Sequence, residues 1–231
     1  MNEIIRKRKS IRKYEQTKLD EVTLGQVRAM CNQVIPLYPD IKFSIEIEDK
    51  ARGALGINAP HFLVFRSEEK EGMYENIGFI GQQMDLYFSE RGLGSCWVGM
   101  AKPEEKSKDS LSYVICIAFG RPASSLHRNI SEFKRKPLNA ISKGEDPRLE
   151  AARLAPSGIN AQKWYFVAID NKIHTYCKKS RHLVIRFMGN MALMDLGIAI
   201  CHIATESENF TFVKEPNPPE IKGFNYIGTI T

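Results

Sequence analysis

The residues best equipped for chemistry in this sequence fall in short segments, the first being Arg8-Lys9-Ser10-Ile11-Arg12. In an extended chain or a turn, alternate residues project one way, so Arg8, Ser10 and Arg12 converge on one ligand. Two guanidiniums and a hydroxyl suit a phosphate, because arginine offers planar bidentate donors and serine adds a third. The competing reading of a basic arm is a solvated tail or a nucleic-acid contact.

A second segment runs from Ala155 through Pro156-Ser157-Gly158-Ile159-Asn160-Ala161-Gln162-Lys163 to Trp164. A helix that stops at Pro156, a small polar turn and a strand beginning at Trp164 present the Ser157 hydroxyl, the Asn160 amide and backbone N–H groups to a flat polar ring. The plain alternative is a helix-to-strand loop, but the density of hydrogen-bonding side chains is unusual for a mere connector. A third segment, Gly92-Leu93-Gly94-Ser95-Cys96-Trp97-Val98-Gly99, has the look of a dinucleotide-binding glycine loop. It follows a helix rather than a strand, so the context of such a loop is missing. A tight turn that brings backbone amides close to a cofactor fits better, with a helix C-cap as the plain alternative for Gly92.

Other chemistries find little support. His61, His127, His174, His182 and His202 show no metal-ligand spacing, and no serine, histidine and acid assemble into a triad. His202 lies on an apolar helix and reads as a satisfied core or interface residue. The five cysteines are scattered and include no Cys-x-x-Cys pair, which argues against a disulfide framework, a zinc site or an iron–sulfur cluster. Four of them, in apolar surroundings, read as buried structural thiols. Chemistry carried by a bound cofactor therefore fits better than acid–base or metal chemistry.

The elements that must position these segments are legible from periodicity. A helix is predicted over 19–32 with Asp20 as N-cap. Strands are predicted over Ile41–Ile47, His61–Arg66 and Leu111–Phe119, with a helix over Asn76–Arg91 closed by Gly92-Leu93-Gly94. From Ala123 to Gly144 the chain is polar and basic, and reads as a connector rather than part of the core. Asp146-Pro147 is expected to open a helix that ends at Pro156. Strands Trp164–Ile169 and Lys172–Cys177 pair across Asp170-Asn171, followed by a helix over Phe187–Thr205 and a last strand, Tyr226–Ile230.

The chain has 231 residues, 43% hydrophobic and 26% charged, enough for one large domain or two closely packed halves of an ordinary globular protein. The net charge of +6 fits an anionic partner, either nucleic acid or a phosphorylated cofactor. The basic clusters at 6–13 and 134–136 lack the repeated basic/aromatic texture of a nucleic-acid surface. No apolar run approaches the roughly 20 residues of a membrane span, and Met1–Tyr14 lacks the apolar stretch of a signal peptide. A cytoplasmic protein that binds neither membrane nor nucleic acid is expected. The halves also echo each other. Gly56-Ile57-Asn58-Ala59 leads into Phe62–Phe65, and Gly158-Ile159-Asn160-Ala161 into Trp164–Val167. Each copy precedes a linker, a long helix and a terminal strand, which reads as a divergent internal duplication.

Taken together, the three motifs resemble the nitroreductase family of FMN-dependent oxidoreductases. The Arg-x-Ser-x-Arg motif is Arg8–Arg12, Pro-Ser-x-x-Asn-x-Gln is Pro156–Gln162, the Gly-Leu-Gly turn opens Gly92–Gly99, and the basic Pro-Leu segment is Arg135–Leu138. The order departs from the common pattern, in which Pro-Ser-x-x-Asn precedes Gly-Leu-Gly and the FMN lies at a homodimer interface. The resemblance therefore implies an α+β, nitroreductase-like chain of two similar halves, 1–144 and 145–231, forming an intramolecular pseudo-dimer. Each half would have lost the complement it no longer needs: 52–55 stands in place of Ala-Pro-Ser, and nothing after Thr205 replaces Gly-Leu-Gly-Ser-Cys-Trp. One complete site per chain and a monomeric active unit follow.

Residue by residue, the resemblance implies that Arg8, Ser10 and Arg12 bind the FMN phosphate, ribityl chain and pyrimidine edge. Arg135, with Lys134 or Lys136, adds phosphate charge. Pro156, Ser157, Gly158 and Asn160 contact the ring from the other half, while Val98 and Gly99 offer a backbone N–H near flavin N5. A guanidinium such as Arg12 stabilises the negative charge of a reduced flavin. Hydride passes from NADH or NADPH through N5 to a small-molecule acceptor such as a nitroaromatic or quinone, with no catalytic side chain. A flavin-binding carrier or sensor without turnover is the alternative. A basic nucleic-acid-binding module leaves Pro156–Trp164 unexplained. The open face that would choose the acceptor falls in Met73–Phe79 and Arg181–Phe187, which carry no motif.

Overall fold

The apolar spacings resolve, in a computed structural model, into an antiparallel sheet and a mixed sheet joined through a pair of long packed helices. The structure describes residues 3–53, 56–104, 110–179 and 186–231, with side chains in the last segment from 190 onward. The elements in order are α1 (Glu3–Lys7), α2 (Glu21–Cys31), β1 (Phe43–Glu48), β2 (Ala51–Arg52), β3 (His61–Ser67), α3 (Met73–Glu90), β4 (Gly94–Val98), β5 (Lys102–Pro103) and β6 (Ser112–Gly120). Then follow β7 (Ser142–Lys143), α4 (Leu149–Leu154), β8 (Trp164–Ile169), β9 (Lys172–Lys178), α5 (Arg186–Ala204), β10 (Phe212–Val213) and β11 (Phe224–Ile230).

Local chemistry sets several of these boundaries. Asp20 caps α2, its carboxylate accepting from the Thr23 N–H at 2.8 Å. Gly92 closes α3: the Leu93 N–H reaches back to the Phe88 carbonyl at 2.8 Å, the bond of a Schellman C-terminus. The plain helix-cap reading of Gly92 is therefore the right one. Asp170 and Asn171 are both left-handed, with φ of 50° and 60°, and form the tight turn that pairs β8 with β9. One expected boundary moves. Asp146 makes the expected cap bond, its carboxylate accepting from the Arg148 N–H at 2.9 Å and its carbonyl from the Leu149 N–H at 3.1 Å, but the α-helix proper, α4, begins only at Leu149, two residues past Pro147.

The first sheet has the order β1-β3-β6-β4 and the second β10-β11-β9-β8-β7. Read from β8, the second sheet runs β8-β9-β11-β10, so α2-β1-β3-α3-β4-β6 and α4-β8-β9-α5-β10-β11 trace the same path. This corrects the register of the sequence echo. Gly56–Ala59 precedes β3, the second strand of its set, whereas Gly158–Ala161 precedes β8, the first of its own. The stretch standing where Pro156–Asn160 stands is Pro36–Asp40, ahead of β1. It is not the 52–55 stretch, of which 54 and 55 lie outside the described residues.

The α3–α5 crossing repeats the same relation. A Cβ on Gly78 would overlap the carbonyl oxygen of Met194, and a Cβ on Gly197 would overlap that of Glu75. Each glycine lies one helical turn past the residue its partner meets, as in a two-fold contact where i meets j and j meets i.

The expectation of a bare connector over 123–144 also fails. Phe133 and Ile141 are buried in the core under the second sheet, and β7 adds to that sheet as a parallel edge on β8, Ser142 facing Phe166. Its apolar residues show no period because they flank single turns of 3₁₀-helix, Ile130–Glu132 and Leu138–Ala140, and are used one at a time. Cys96, Cys116, Cys177 and Cys201 are buried free thiols, as read from sequence. Among the described residues no helix is long and apolar enough to cross a membrane, and no acid, His and Cys group could hold a metal ion.

Candidate functional site

The N-terminal segment leaves α1 through Arg8, whose N–H still completes a helical bond to Ile4 at 2.8 Å, and then runs beside β4, Ile11 N–H donating to the Ser95 carbonyl at 2.8 Å. This close passage depends on Gly94, where a Cβ would lie 2.8 Å from Ile11. The Gly-Leu-Gly turn thus serves helix termination and the docking of the N-terminal arm.

Because Arg8 belongs to the helical turn, it escapes the expected alternation. It points into the protein, 1% exposed, while Ser10 and Arg12 line an open cleft together with Lys9. A buried guanidinium requires a counter-charge. Asp85 on α3 supplies it, Oδ2 lying 2.8 Å from Arg8 Nε, and Arg8 Nη2 donates to Ser10 Oγ at 3.2 Å. Ser95 Oγ donates to the other Asp85 oxygen at 2.6 Å, and Gln82 Nε2 donates to Oδ2 at 3.0 Å.

The chain of bonds continues into the second half. Gln82 Nε2 also meets His202 Nε2 at 3.1 Å, and His202 Nδ1 meets the Ala151 carbonyl at 2.9 Å. A carbonyl only accepts, so Nδ1 carries the proton and Nε2 accepts from Gln82. Burial pushes His202 down to about 3, which keeps that neutral tautomer. His202 is the satisfied core residue its apolar helix implied.

The opposite wall of the cleft is the loop between α4 and β8. Ile159, Asn160 and Gln162 are all left-handed (φ of 48°, 57° and 47°), a costly conformation for a β-branched residue, and Ile159 is 82% exposed at the rim. Side chains hold this shape. Ser157 Oγ accepts from the Gln162 N–H at 3.1 Å, Asn160 Nδ2 donates to the Lys134 carbonyl at 2.7 Å, and Asn160 Oδ1 accepts from Arg135 Nη1 at 2.8 Å. Lys136 Nζ donates to the carbonyls of Ala161 and Gln162. The Asn160 amide is thereby anchored to the protein through its oxygen and one N–H while it lines the cleft.

The third wall is the 128–135 stretch, where Phe133 lies between two cations, Arg128 at 3.7 Å and Arg135 at 5.5 Å from its ring centroid. The cleft, about 490 Å³, is lined by Lys9, Arg12, Arg128, Lys134 and Arg135 against one acid, Glu132, whose carboxylate is engaged by the Asn129 N–H at 2.6 Å. Burial, followed by the charge of neighbouring arginines, pulls Arg128 and Arg135 down to about 10, so both stay charged at neutral pH under mutual repulsion. Arg8 Nη1 and Arg135 Nε are buried without an acceptor. Crowded cations and orphaned guanidinium N–H groups form a donor set that fits a phosphate, and the volume lies within the roughly 300–1,000 Å³ of small-molecule and cofactor sites.

Of the residues expected at the site, Ser10, Arg12, Arg135, Pro156, Ser157 and Asn160 line the cleft. Arg8 stands behind Ser10. Gly158 turns its N–H to Asp195 Oδ1 at 2.9 Å on α5. Val98 and Gly99 do not line the cleft: Val98 is buried against Ile11, Tyr14 and Phe62, and Gly99 lies in the exposed turn beyond β4. Lys9 and Arg128, neither of which fills a motif position, also line the cleft, and Phe133 packs against Arg128; Arg128 and Phe133 lie inside the stretch read as a connector. His61 is no free base, since Nε2 accepts from the Leu19 N–H at 3.0 Å and Nδ1 faces Asp49 at 3.1 Å.

The counterpart of this loop in the first half is closed. Tyr38 stands where Gly158 stands, its N–H donating to Asn76 Oδ1 at 3.0 Å. Its ring packs against Gly72, 2.7 Å from where a Cβ would sit, and edge-on against Phe212 at 5.8 Å. A cavity of about 100 Å³ remains beside it.

Comparison with protein-family models matches residues 1–207 to the family described as "Putative TM nitroreductase". Among solved structures, the chain is similar to a "putative nitroreductase" of Thermotoga maritima with a TM-score of 0.65 and 19% identity, covering 99% of this chain and 90% of that one. It is similar over part of its length to a nitroreductase family protein of Clostridium difficile, with a TM-score of 0.48, 19% identity, and 61% and 96% of the two chains covered. An "FMN-dependent Nitroreductase" of Clostridium difficile gives a TM-score of 0.45 and 18% identity, with 58% and 95% covered. No curated protein matches the chain. The family match over residues 1–207 and the fold shared along nearly the whole chain place it: this protein belongs to the family described as "Putative TM nitroreductase" and has the α+β nitroreductase fold.

Proposed function

We propose that the protein is an FMN-dependent oxidoreductase that passes hydride from NADH or NADPH to a flat electrophilic acceptor such as a nitroaromatic or quinone. One observation carries this reading: in a chain of the nitroreductase family, the basic arm Lys9–Arg12 and the loop Pro156–Asn160 line a single cationic cleft. FMN, when bound, supplies a ring that accepts and releases hydride.

The chain's own residues bind and polarise. Arg12, Arg128, Lys134 and Arg135 supply charge for the phosphate, with Ser10 as a hydroxyl donor and Arg8 behind it as a fixed cation. Pro156 and Ile159 offer apolar surface to the ring, and Ser157 a hydroxyl. A guanidinium close to developing negative charge lowers its energy without a proton transfer, so no side chain need act as acid or base. We also read the chain as an internally duplicated pseudo-dimer with one such site, active as a monomer. The common path of the two sheets, the reciprocal Gly78 and Gly197 contacts and the Tyr38 ring in the place of Gly158 support that reading.

Anaerobic titration tests the function. Reconstituted protein is expected to lose its flavin absorbance on addition of NADH or NADPH and to recover it with a nitroaromatic or quinone. Bound flavin that neither nucleotide bleaches would contradict an oxidoreductase and leave a carrier.

A further inference from the structure

Asn76 on α3 and Asp195 on α5 make the same hydrogen bond in the two halves. Each lies two residues ahead of the glycine at the helix crossing and accepts from a backbone N–H of the loop that precedes its sheet. Asn76 Oδ1 takes Tyr38 N–H at 3.0 Å, and Asp195 Oδ1 takes Gly158 N–H at 2.9 Å. A neutral amide is therefore sufficient for the bond, and a buried carboxylate is the costlier way to make it. Asp195 is 5% exposed, and its other oxygen lies 3.7 Å from where a Cβ of Gly158 would sit. The side chain is thus set directly behind the loop whose Pro156, Ser157, Ile159 and Asn160 face the cationic cleft.

What the carboxylate adds over the amide is charge. We propose, building on the flavin-phosphate reading of the cleft, that Asp195 is a positioning residue that latches the Gly158 loop and, by its ionisation, sets how tightly the cleft holds an anionic ligand. Burial pushes this carboxyl up to about 7, the Gly158 N–H and Lys163 opposing the shift, so the charge changes across neutral pH. Among the described residues, Cys177 on β9 also interacts with it, and burial pushes that thiol up to about 12 and keeps it neutral. Glu75 on α3, beyond Cys177, is itself raised by burial. The latch survives protonation, because the neutral Asn76 amide holds Tyr38 in the same way. The charge is then the part that changes, and an ionised Asp195 opposes an anion that a protonated one admits.

The test is the ratio of FMN dissociation constants for the wild type and Asp195→Asn, measured by flavin fluorescence from pH 5.5 to 8.5. Comparing the proteins at each pH cancels the titration of the FMN phosphate itself. Asp195→Asn is expected to bind FMN several-fold more tightly than the wild type at pH 8.5 and equally at pH 5.5, with a smaller difference for uncharged riboflavin. A ratio that does not change with pH, or weaker binding by Asp195→Asn at pH 8.5, overturns the role of Asp195. Failure of both proteins to bind FMN at any pH overturns instead the reading of the cleft on which it rests.

Discussion

Arg135 and Asn160 meet at 2.8 Å, guanidinium Nη1 to amide Oδ1, and this bond joins two walls of the cleft. It fixes the direction of a cation that retains a buried N–H without an acceptor, and it occupies an amide that the family resemblance assigns to the ligand. Asn160→Ala is therefore expected to act through Arg135. Each single substitution should weaken FMN binding by about tenfold, the equivalent of about 1.4 kcal/mol, and the double variant by little more than either. Fluorescence titration of the three variants checks this, and fully additive losses would show that the two side chains act separately.

The Arg8–Asp85 pair predicts a marked asymmetry between single and double substitutions. Both side chains are 1% exposed. Asp85→Ala strands a buried guanidinium and should cost about 3–5 kcal/mol in urea denaturation. Replacing both, with Arg8→Met and Asp85→Leu, should recover much of that stability while FMN affinity stays low. Recovery of affinity by the double variant would remove Arg8 from the site.

Much of this arrangement was legible because it is local. The Asp20 cap, the Asp170-Asn171 turn and the end of α3 at Gly92 depend on neighbours a few residues away, and the motifs at Arg8–Arg12 and Pro156–Asn160 fall on two walls of the cleft. The burial of Arg8 was not legible, because its counter-charge comes from a distant helix and α1 continues into it. Arg128 and Phe133 stood in an aperiodic stretch, where buried residues leave no pattern. Asp195 is a lone acid in an apolar helix, and its partner, the Gly158 N–H, is distant in sequence. One signal was available: Asn76-Ile77-Gly78 against Asp195-Leu196-Gly197, residues that take matching positions at the α3–α5 crossing.

The helix crossing gives a prediction opposite to helix propensity. At an ordinary helical position Gly→Ala stabilises by about 1 kcal/mol. At Gly78 and Gly197 the added methyl meets a backbone carbonyl of the other helix, which has nowhere to go. Gly78→Ala and Gly197→Ala should each destabilise by about 1–3 kcal/mol, read as a lower Tm. A raised Tm for either would mean that the helices are further apart than described.

Asp195 also predicts how ligand-free stability depends on pH. Its folded pKa, about 7, lies above the ordinary carboxylate value of 3.8, so the folded state holds the proton more tightly. Its contribution is intact below pH 3.8 and is lost as pH rises through about 7. Relative to the wild type, Asp195→Asn should therefore gain stability between pH 5 and pH 8, by on the order of 2–4 kcal/mol. Parallel denaturation curves at the two pH values would contradict the shift.

One cleft in each chain should bind one FMN through its phosphate. Titration of the purified, flavin-free protein with FMN and with riboflavin, following fluorescence quenching to saturation, tests it most directly. The expected result is one FMN per chain, much weaker binding of riboflavin, and loss of that preference in Arg12→Ala combined with Arg135→Ala. Two FMN per chain, equal affinity for riboflavin, or no binding at all would contradict it.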